Sequence, residues 1–492
     1  MAALPSTLPH ADYAAADATA LAAMVRRGEA SPAELLAAAL ARLAAVEPAL
    51  GPLVVVPRFD AARAEAAGAL PDGPFRGVPF LLKDLFTDLA GTPSTNGSDF
   101  HAAAPAAADS TVVARYRAAG LVVFGKTHSP ELGGTSTTES RRFGATRNPW
   151  RTGLSAGGSS GGAAAAVAAG VVPVAAASDA GGSIIIPASC CGLFGLKPSR
   201  GRVPLGPRRL EGAGGLATQH VLSRSVRDSA AFLDLAVAGE RASPIAAPPS
   251  GPFLAEVGRP PGRLRIALMT RAVDGTEAAP ACVAAAMDAA ALCAGLGHHV
   301  EPAAPAIDVE RRAAAERSLR LASLAATVAS LEAEVGRPVR EDDLEPATWQ
   351  RYRAGLEVSG TAVLAAREAM LAAHRDVDAV FERFDVVLSP AMAAPPPPLG
   401  LIGLDRTDDA ALAANRLCTA FAGLYNWTGQ PSMSVPLCVA DGVPIGVLVA
   451  ARYGAEGLLF RLAAELEAAR PWPGLAPDYG GRRPPDTHDR KE

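Results

Sequence analysis

The sequence contains few residues of the types that mark metal-binding, disulfide-rich or aromatic-rich proteins. Its 492 residues include only six cysteines and eight histidines, and aromatic residues make up 5%. The cysteine spacings match no zinc site, and a chain of this length needs no disulfide framework to bury a core. We therefore predict buried, reduced thiols and no bound metal. The adjacent Cys190 and Cys191 lie in an apolar segment and fit that description.

The chain also has no excess of positive charge. It carries 46 basic and 50 acidic side chains, for a formal net charge of −4. A nucleic-acid-binding protein needs a concentrated basic face to contact phosphates, and the arginine pairs here are scattered. The composition therefore argues against a nucleic-acid partner.

Long hydrophobic runs are missing as well. The most apolar stretch, residues 163–177, is interrupted by Gly170 and Pro173. It falls short of the ~18 residues that a membrane span needs. The first 30 residues lack a basic segment followed by an apolar one, so no secretory signal is predicted. These features predict a soluble, cytoplasmic protein without a membrane partner.

Helical segments alternate with short apolar strands along most of the chain. A helix is predicted over 111–119 before a strand at 121–124, and a strand at 264–269 precedes a helix at 280–296. Further strands are predicted at 171–176 and 385–390, and a helix is predicted at 410–425. This alternation is typical of an α/β fold, and no internal repeat or domain boundary interrupts it. The Pro-, Gly- and charge-rich residues 480–492 predict a disordered tail.

The segment from Arg147 to Pro204 is rich in glycine, serine and alanine. It is not a linker, because it also contains an Ala/Val helix and Val/Ile strands. Residues 157–162 do not match a phosphate-binding loop, since the Gly-Lys-Ser/Thr ending of such a loop is absent.

The Gly-x-Ser-x-Gly pattern around Ser159 fits the nucleophile elbow of α/β-hydrolases. However, residues 148–153 are poor strand material, and no later histidine lies in a recognisable motif.

Several segments taken together resemble the amidase-signature family over nearly the whole chain. Five fragments occur in the family's order and at its spacing. The resemblance implies one domain over residues 1–479, with a signature core at about 70–205 and a twisted mixed β-sheet sandwiched between α-helices. The fragments are Gly77-Val-Pro-Phe-Leu-Leu-Lys-Asp84, Phe143-Gly-Ala-Thr-Arg-Asn-Pro-Trp150, Cys191-Gly-Leu-Phe-Gly-Leu-Lys-Pro198, Asn426-Trp-Thr-Gly-Gln-Pro431 and Gly442-Val-Pro-Ile-Gly446.

The resemblance assigns three catalytic residues. It implies that Ser183 is the nucleophile that forms an acyl-enzyme, that Ser159 is a bridging serine in a cis peptide, and that Lys83 is the terminal base. A serine hydroxyl needs an adjacent base, and a lysine can be that base only when neutral. The apolar residues 78–82 would desolvate Lys83 and lower its pKa. In isolation, a surface lysine paired with Asp84 would be the simpler interpretation.

The same resemblance indicates where the substrate binds. The backbone N–H groups of Ala180, Gly181, Gly182 and Ser183 would stabilise the oxyanion, because two glycines leave no side chain in the way. The loop 133–138 would border the acyl pocket, which makes Gly133 and Thr135 candidate substrate-binding residues. The Ala/Leu-rich helices of 309–425 suggest an apolar funnel leading to this pocket.

Two positions depart from the family pattern. Ile185 stands where the family usually has arginine, and Leu448 stands where it often has glutamine. That arginine would be a natural partner for Asp179, which must otherwise find backbone donors, another cation or solvent. We hypothesise a rearranged or more mobile nucleophile loop.

The resemblance implies hydrolysis of a small-molecule amide, either aryl or alkyl, with a carbamate as a variant substrate. It implies no cofactor, and it allows a homodimer. Two alternatives stay open: a glutaminase-type subunit of an amidotransferase assembly, and a catalytically silent binding protein on the same scaffold.

Overall fold

The computed structural model describes residues 10–237 and 247–481. Short runs of valine, leucine and alanine form the strands of one large sheet. The strands are β1 Val54–Pro57, β2 Pro79–Lys83, β3 Val122–Thr127, β4 Glu139–Ser140, β5 Gly144–Ala145, β6 Arg147–Asn148, β7 Arg151–Ser155, β8 Val174–Asp179, β9 Phe194–Lys197, β10 Thr218–Ser223, β11 Arg265–Leu268, β12 His299–Pro302, β13 Val386–Pro390, β14 Ser432–Ala440 and β15 Val443–Ala451.

Eleven of these strands form the central sheet, in the order β1-β3-β2-β8-β10-β9-β14-β15-β13-β11-β12. The sheet is mixed: β2 runs parallel to β3 and β8, and β11 runs parallel to β12 and β13, whereas the other pairs are antiparallel. The remaining strands form two small hairpins, β4-β5 and β6-β7.

Helices flank the sheet and complete a single α/β domain, as predicted. They are α1 His10–Ala15, α2 Ala18–Arg27, α3 Pro32–Leu50, α4 Phe59–Ala67, α5 Thr111–Ala118, α6 Gly161–Ala168, α7 Ile185–Cys191, α8 Val226–Ala236, α9 Pro280–Gly295, α10 Val309–Val335, α11 Pro346–Leu356, α12 Gly360–Asp378, α13 Asp409–Thr419, α14 Ala422–Thr428 and α15 Glu456–Ala469. Within the described ranges, no helix is long and apolar enough to cross a membrane.

Three sequence predictions require correction. The strand predicted at 171–176 begins instead at Val174, because Pro173 has no N–H to donate to a strand ladder. The helix predicted at 410–425 is two helices, α13 and α14. Residues 148–153, which were expected not to form a strand, contribute to the β6-β7 hairpin.

The predicted tail at 480–492 lies outside the described residues apart from Gly480 and Gly481.

Candidate active site

The candidate catalytic residues meet at the carboxyl ends of two neighbouring parallel strands. Lys83 is the last residue of β2, and Ser178 and Asp179 end β8. Parallel strands that end side by side bring their last side chains together at one edge of the sheet. All five residues of β2 are buried, so the strand carries the Lys83 amine into the protein interior.

The Lys83 side chain is 1% exposed and is surrounded by serines. Its Nζ donates to Ser159 Oγ at 2.8 Å, to Ser160 Oγ at 2.9 Å and to Ser178 Oγ at 3.0 Å. Burial lowers the pKa of Lys83 to about 7, although the negative charge of Asp179 opposes that shift. A large fraction of this amine is therefore neutral near neutral pH and can accept a proton.

Asp84 does not pair with Lys83. Its buried carboxylate accepts a hydrogen bond from Thr95 N at 3.0 Å and another from the Thr95 hydroxyl. The simpler interpretation of Lys83, an exposed lysine paired with its neighbour, is therefore wrong.

Ser159 lies in the Gly/Ser loop directly before α6. The Gly158–Ser159 peptide bond is cis, as the resemblance implied. Every residue of α6 is buried, and its first two residues must be small. A Cβ on Gly161 would come within 2.4 Å of Thr138 Oγ1, and one on Gly162 within 2.6 Å of His128 N. The glycines therefore let this loop pack tightly enough to place Ser159 against Lys83.

Ser183 precedes α7 on a loop that wraps around the Asp179 carboxylate. Oδ1 of Asp179 accepts from Gly181 N at 3.1 Å and from Gly182 N at 2.6 Å, and Oδ2 accepts from Ile184 N at 2.6 Å. Asp179 has therefore found backbone donors in place of an arginine. Because the Gly181 and Gly182 N–H groups already donate to a carboxylate, their role as oxyanion donors, like that of Ala180, stays a prediction.

Ser159 and Ser183 both line one open cavity of about 980 Å³. Gly133, Thr135 and Ala180 to Gly181 line it too, so the structure brings these sequence-predicted site residues to the same cavity. A Cβ on Gly133 would lie 3.3 Å from Ser159 Oγ, which places the start of the 133–138 loop directly beside Ser159.

The Ala/Leu-rich helices do line the cavity with apolar side chains, among them Leu321, Leu324 and Leu412, but the same helices also bring charged residues to it. The lining contains more arginines than acidic residues. The arginines are Arg209, Arg312, Arg317, Arg320, Arg351 and Arg416, and the acidic residues are Asp179, Asp274, Glu316 and Asp409.

The two departures from the family pattern belong to one buried apolar cluster. Ile185 on α7 and Leu448 on β15 are both fully buried, together with Leu424 and Tyr425 of α14. Each replaces a polar residue of the family with an aliphatic one. The region behind the loop that carries Ser183 is therefore apolar, and both departures from the family pattern belong to it.

Sequence reasoning missed several residues around the site. Ser160 and Ser178 both contact the Lys83 amine, and Asn415 Oδ1 accepts from Ser136 N at 3.1 Å and so holds the 133–138 loop. Burial lowers the pKa of Lys197, near Asp179, to about 8. Ser160, Ser178 and Lys197 lie within or next to the family motifs, and that position could have marked them as site residues. Asn415 is distant from those motifs in sequence and carries no such mark. Across residues 10–237 and 247–481, no group of three or more His, Cys, Asp or Glu side chains could hold a metal ion.

Comparisons with known proteins agree with this geometry. The sequence model of the family described as Amidase matches residues 34–460. The 6-aminohexanoate-cyclic-dimer hydrolase of Paenarthrobacter ureafaciens is 40% identical over 478 residues, covering 94% of this chain and 96% of that protein.

Solved structures show the same likeness. A 6-aminohexanoate cyclic dimer hydrolase complexed with substrate superposes with a TM-score of 0.89 at 37% identity, covering 96% of this chain and 100% of that one. A bacterial aryl acylamidase of the amidase signature family gives a TM-score of 0.84 at 28% identity, covering 95% and 99%. The chain therefore belongs to the amidase signature family and is an amidase, a hydrolase of carbon–nitrogen bonds in linear amides.

Proposed function

We propose that the protein hydrolyses a small-molecule amide, with an aryl or alkyl amine as leaving group, through an acyl-enzyme formed on Ser183. The observation that carries the proposal is the buried Lys83 amine, which lies 2.8 Å from Oγ of Ser159, a residue that lines the same cavity as Ser183. The relatives named for 6-aminohexanoate cyclic dimers and aryl acylamides act on amides of this size class.

In the proposed reaction, Ser183 Oγ attacks the amide carbonyl carbon and gives its proton to Ser159, whose own proton passes to neutral Lys83. The C–N bond then breaks, and Lys83 returns the proton through Ser159 to the departing amine. Water then attacks the acyl carbon and gives its proton through Ser159 to Lys83. The ester C–O bond to Ser183 breaks, and Lys83 returns the proton through Ser159 to Ser183 Oγ, which releases the carboxylic acid and restores the hydroxyl. The N–H groups of Ala180, Gly181, Gly182 and Ser183 are the proposed donors to the oxyanion, and those of Gly181 and Gly182 must turn from Asp179 to donate to it. Removal of one such donor typically costs about 3–4 kcal/mol of barrier.

A carbamate also fits this chemistry, because Ser183 can attack its carbonyl carbon and expel the amine. The carbonate ester left on Ser183 is then hydrolysed to the alcohol and carbon dioxide. Urethane hydrolysis is therefore a variant of the proposal. The cytoplasm and a homodimer remain the expected compartment and assembly.

The test is intact-protein mass spectrometry after reaction with a fluorophosphonate, combined with turnover of p-nitroanilides and aryl carbamates. We expect one adduct on the wild type and none on Ser183→Ala. Ser323→Ala, which removes another serine from the same cavity wall, is the matched control and should keep the adduct.

Other outcomes would point to the two alternatives. An adduct without turnover, with activity restored by co-purifying chains, would indicate an amidotransferase subunit. Absence of both adduct and turnover would indicate a silent binding protein and overturn the proposal.

A further inference from the structure

The cavity lining has six arginines and only four acidic residues, so positive charge is in excess around the cavity. Glu316 is shared by two of the arginines: its carboxylate lies 3.4 Å from Arg312 Nε and 2.7 Å from Arg320 Nη2. Asp179 and Asp274 accept from backbone N–H groups instead, Asp179 from Gly182 N at 2.6 Å and Asp274 from Thr276 N at 3.0 Å.

Arg351 is the half-buried member of this excess. It projects from α11, and its Nη1 donates to Gly134 O at 2.7 Å. Burial, and then the nearby charge of Arg320, lower its pKa. Among the residues that the structure describes, no carboxylate forms an ion pair with Arg351. A guanidinium offers five N–H donors in a planar fork that matches a carboxylate, and most of this fork is left for a ligand.

Arg351 is linked to the loop beside Ser159. Gly134, its hydrogen-bond partner, follows Gly133, on which a Cβ would lie 3.3 Å from Ser159 Oγ. Arg320 of α10 is near enough for its charge to lower the pKa of Arg351, and its Nη2 donates to Ala180 O at 2.9 Å. A cavity whose lining has an excess of one charge raises the local concentration of the opposite charge.

We propose that Arg351 is the centre of a carboxylate-binding subsite, and that the preferred substrates are monoamides of dicarboxylic acids. This inference rests on the proposed function. Arg351 contacts the 133–138 loop, which borders the expected acyl pocket, so the free carboxylate belongs to the acyl part of the substrate. Arg320 adds positive charge to the subsite while it keeps its ion pair with Glu316.

The experiment compares ω-carboxyacyl p-nitroanilides that have two to four methylenes with isosteres in which a methyl ketone replaces the carboxylic acid. For the wild type we expect a KM for the acid about tenfold or more below that for the ketone, the range of a charge-assisted hydrogen bond. Arg351→Met should raise the KM for the acid by a similar factor with kcat nearly unchanged, and should leave the ketone KM unchanged. Arg351→Lys should be intermediate.

The matched control is Arg353→Met, on the same helix, where the guanidinium lies over the Trp349 ring rather than in the cavity. It should change neither substrate's KM. An equal loss for acid and ketone in Arg351→Met would mean that the residue only positions the Gly134 loop, and would overturn the inference. Equal wild-type KM values for the two substrates would overturn it as well.

A binding measurement separates this inference from the proposed function. Calorimetric titration of Ser183→Ala with adipic acid monoanilide needs no turnover. A loss of affinity of about tenfold on adding Arg351→Met supports the subsite even if the nucleophile assignment fails, and unchanged affinity overturns the subsite even if Ser183 forms the acyl-enzyme.

Discussion

Ile185 and Leu448 lie in one fully buried apolar cluster behind the nucleophile loop, at two positions where polar residues are typical of the family. Two buried polar groups at this cluster form no hydrogen bond with any described residue. They are Oη of Tyr425, which belongs to the cluster, and Oγ of Ser434, which pairs with Leu448 in the sheet. Apolar packing therefore backs the loop that carries Ser183, and we expect the two positions to be coupled.

We therefore expect Ile185→Arg to destabilise the protein. Asp179 already accepts from backbone N–H groups of its own loop, and the other neighbours of position 185 are apolar, so the new charge would be buried without a free partner. A charge of this kind costs about 3–5 kcal/mol, so the melting temperature and the turnover should both fall. Ile185→Leu, which keeps volume and polarity, is the control and should cost less than about 1.5 kcal/mol. If Ile185→Arg leaves both quantities unchanged, the apolar cluster does not support the loop.

The double variant Ile185→Arg with Leu448→Gln tests the coupling directly. The glutamine amide oxygen can accept from the guanidinium, and Tyr425 Oη offers a second acceptor. We expect the double variant to be more stable than the sum of the two single changes predicts, by about 0.5–3 kcal/mol. Additive effects in thermal and urea unfolding would show that the two positions act independently.

The pH dependence of catalysis should follow the Lys83 amine. Because burial lowers its pKa to about 7, the neutral base predominates above that pH and the inactive ammonium below it. We expect kcat/KM to fall tenfold for each pH unit well below about 7 and to level off above it. A profile that instead rises with a midpoint near the ordinary lysine value would contradict the assignment of Lys83 as the base.

The sequence predicted the parts of the site that depend on local motifs. The strand ending in Lys83 and the Gly/Ser loop of Ser159 could be located because each motif fixes its own backbone. Asn415 and Arg351 could not, because they approach the site from helices far along the chain and carry no local pattern. The Ala/Leu content of those helices predicted the apolar part of the cavity wall, such as Leu321 and Leu324, but composition does not tell which charged residues share that face.

Ser178 should be a positioning residue for Lys83. Its Oγ lies 3.0 Å from Nζ, and an acceptor at that distance favours the ammonium form. We expect Ser178→Ala to lower the midpoint of the pH profile and also to lower the plateau kcat, because the amine is less firmly held. Ser178→Thr keeps the hydroxyl and should restore both. If Ser178→Ala lowers kcat without moving the midpoint, Ser178 contributes only packing.

Gly181 and Gly182 should respond differently to the same added methyl group. Gly182 has a φ of +112°, and a Cβ there would lie 2.9 Å from Ile186 Cδ1 and 3.0 Å from Ala422 Cβ. At Gly181 the atom nearest to an added Cβ, at 3.0 Å, is Nη2 of Arg320, which ends a flexible side chain and can move.

Gly182→Ala should therefore cost about 1–3 kcal/mol of stability and remove most of the activity, because it forces the Ser183 loop out of its conformation. Gly181→Ala should keep the stability and lose less activity. The two variants are compared by thermal unfolding and by fluorophosphonate labelling rate, and equal effects would show that the backbone conformation at Gly182 does not set the position of Ser183.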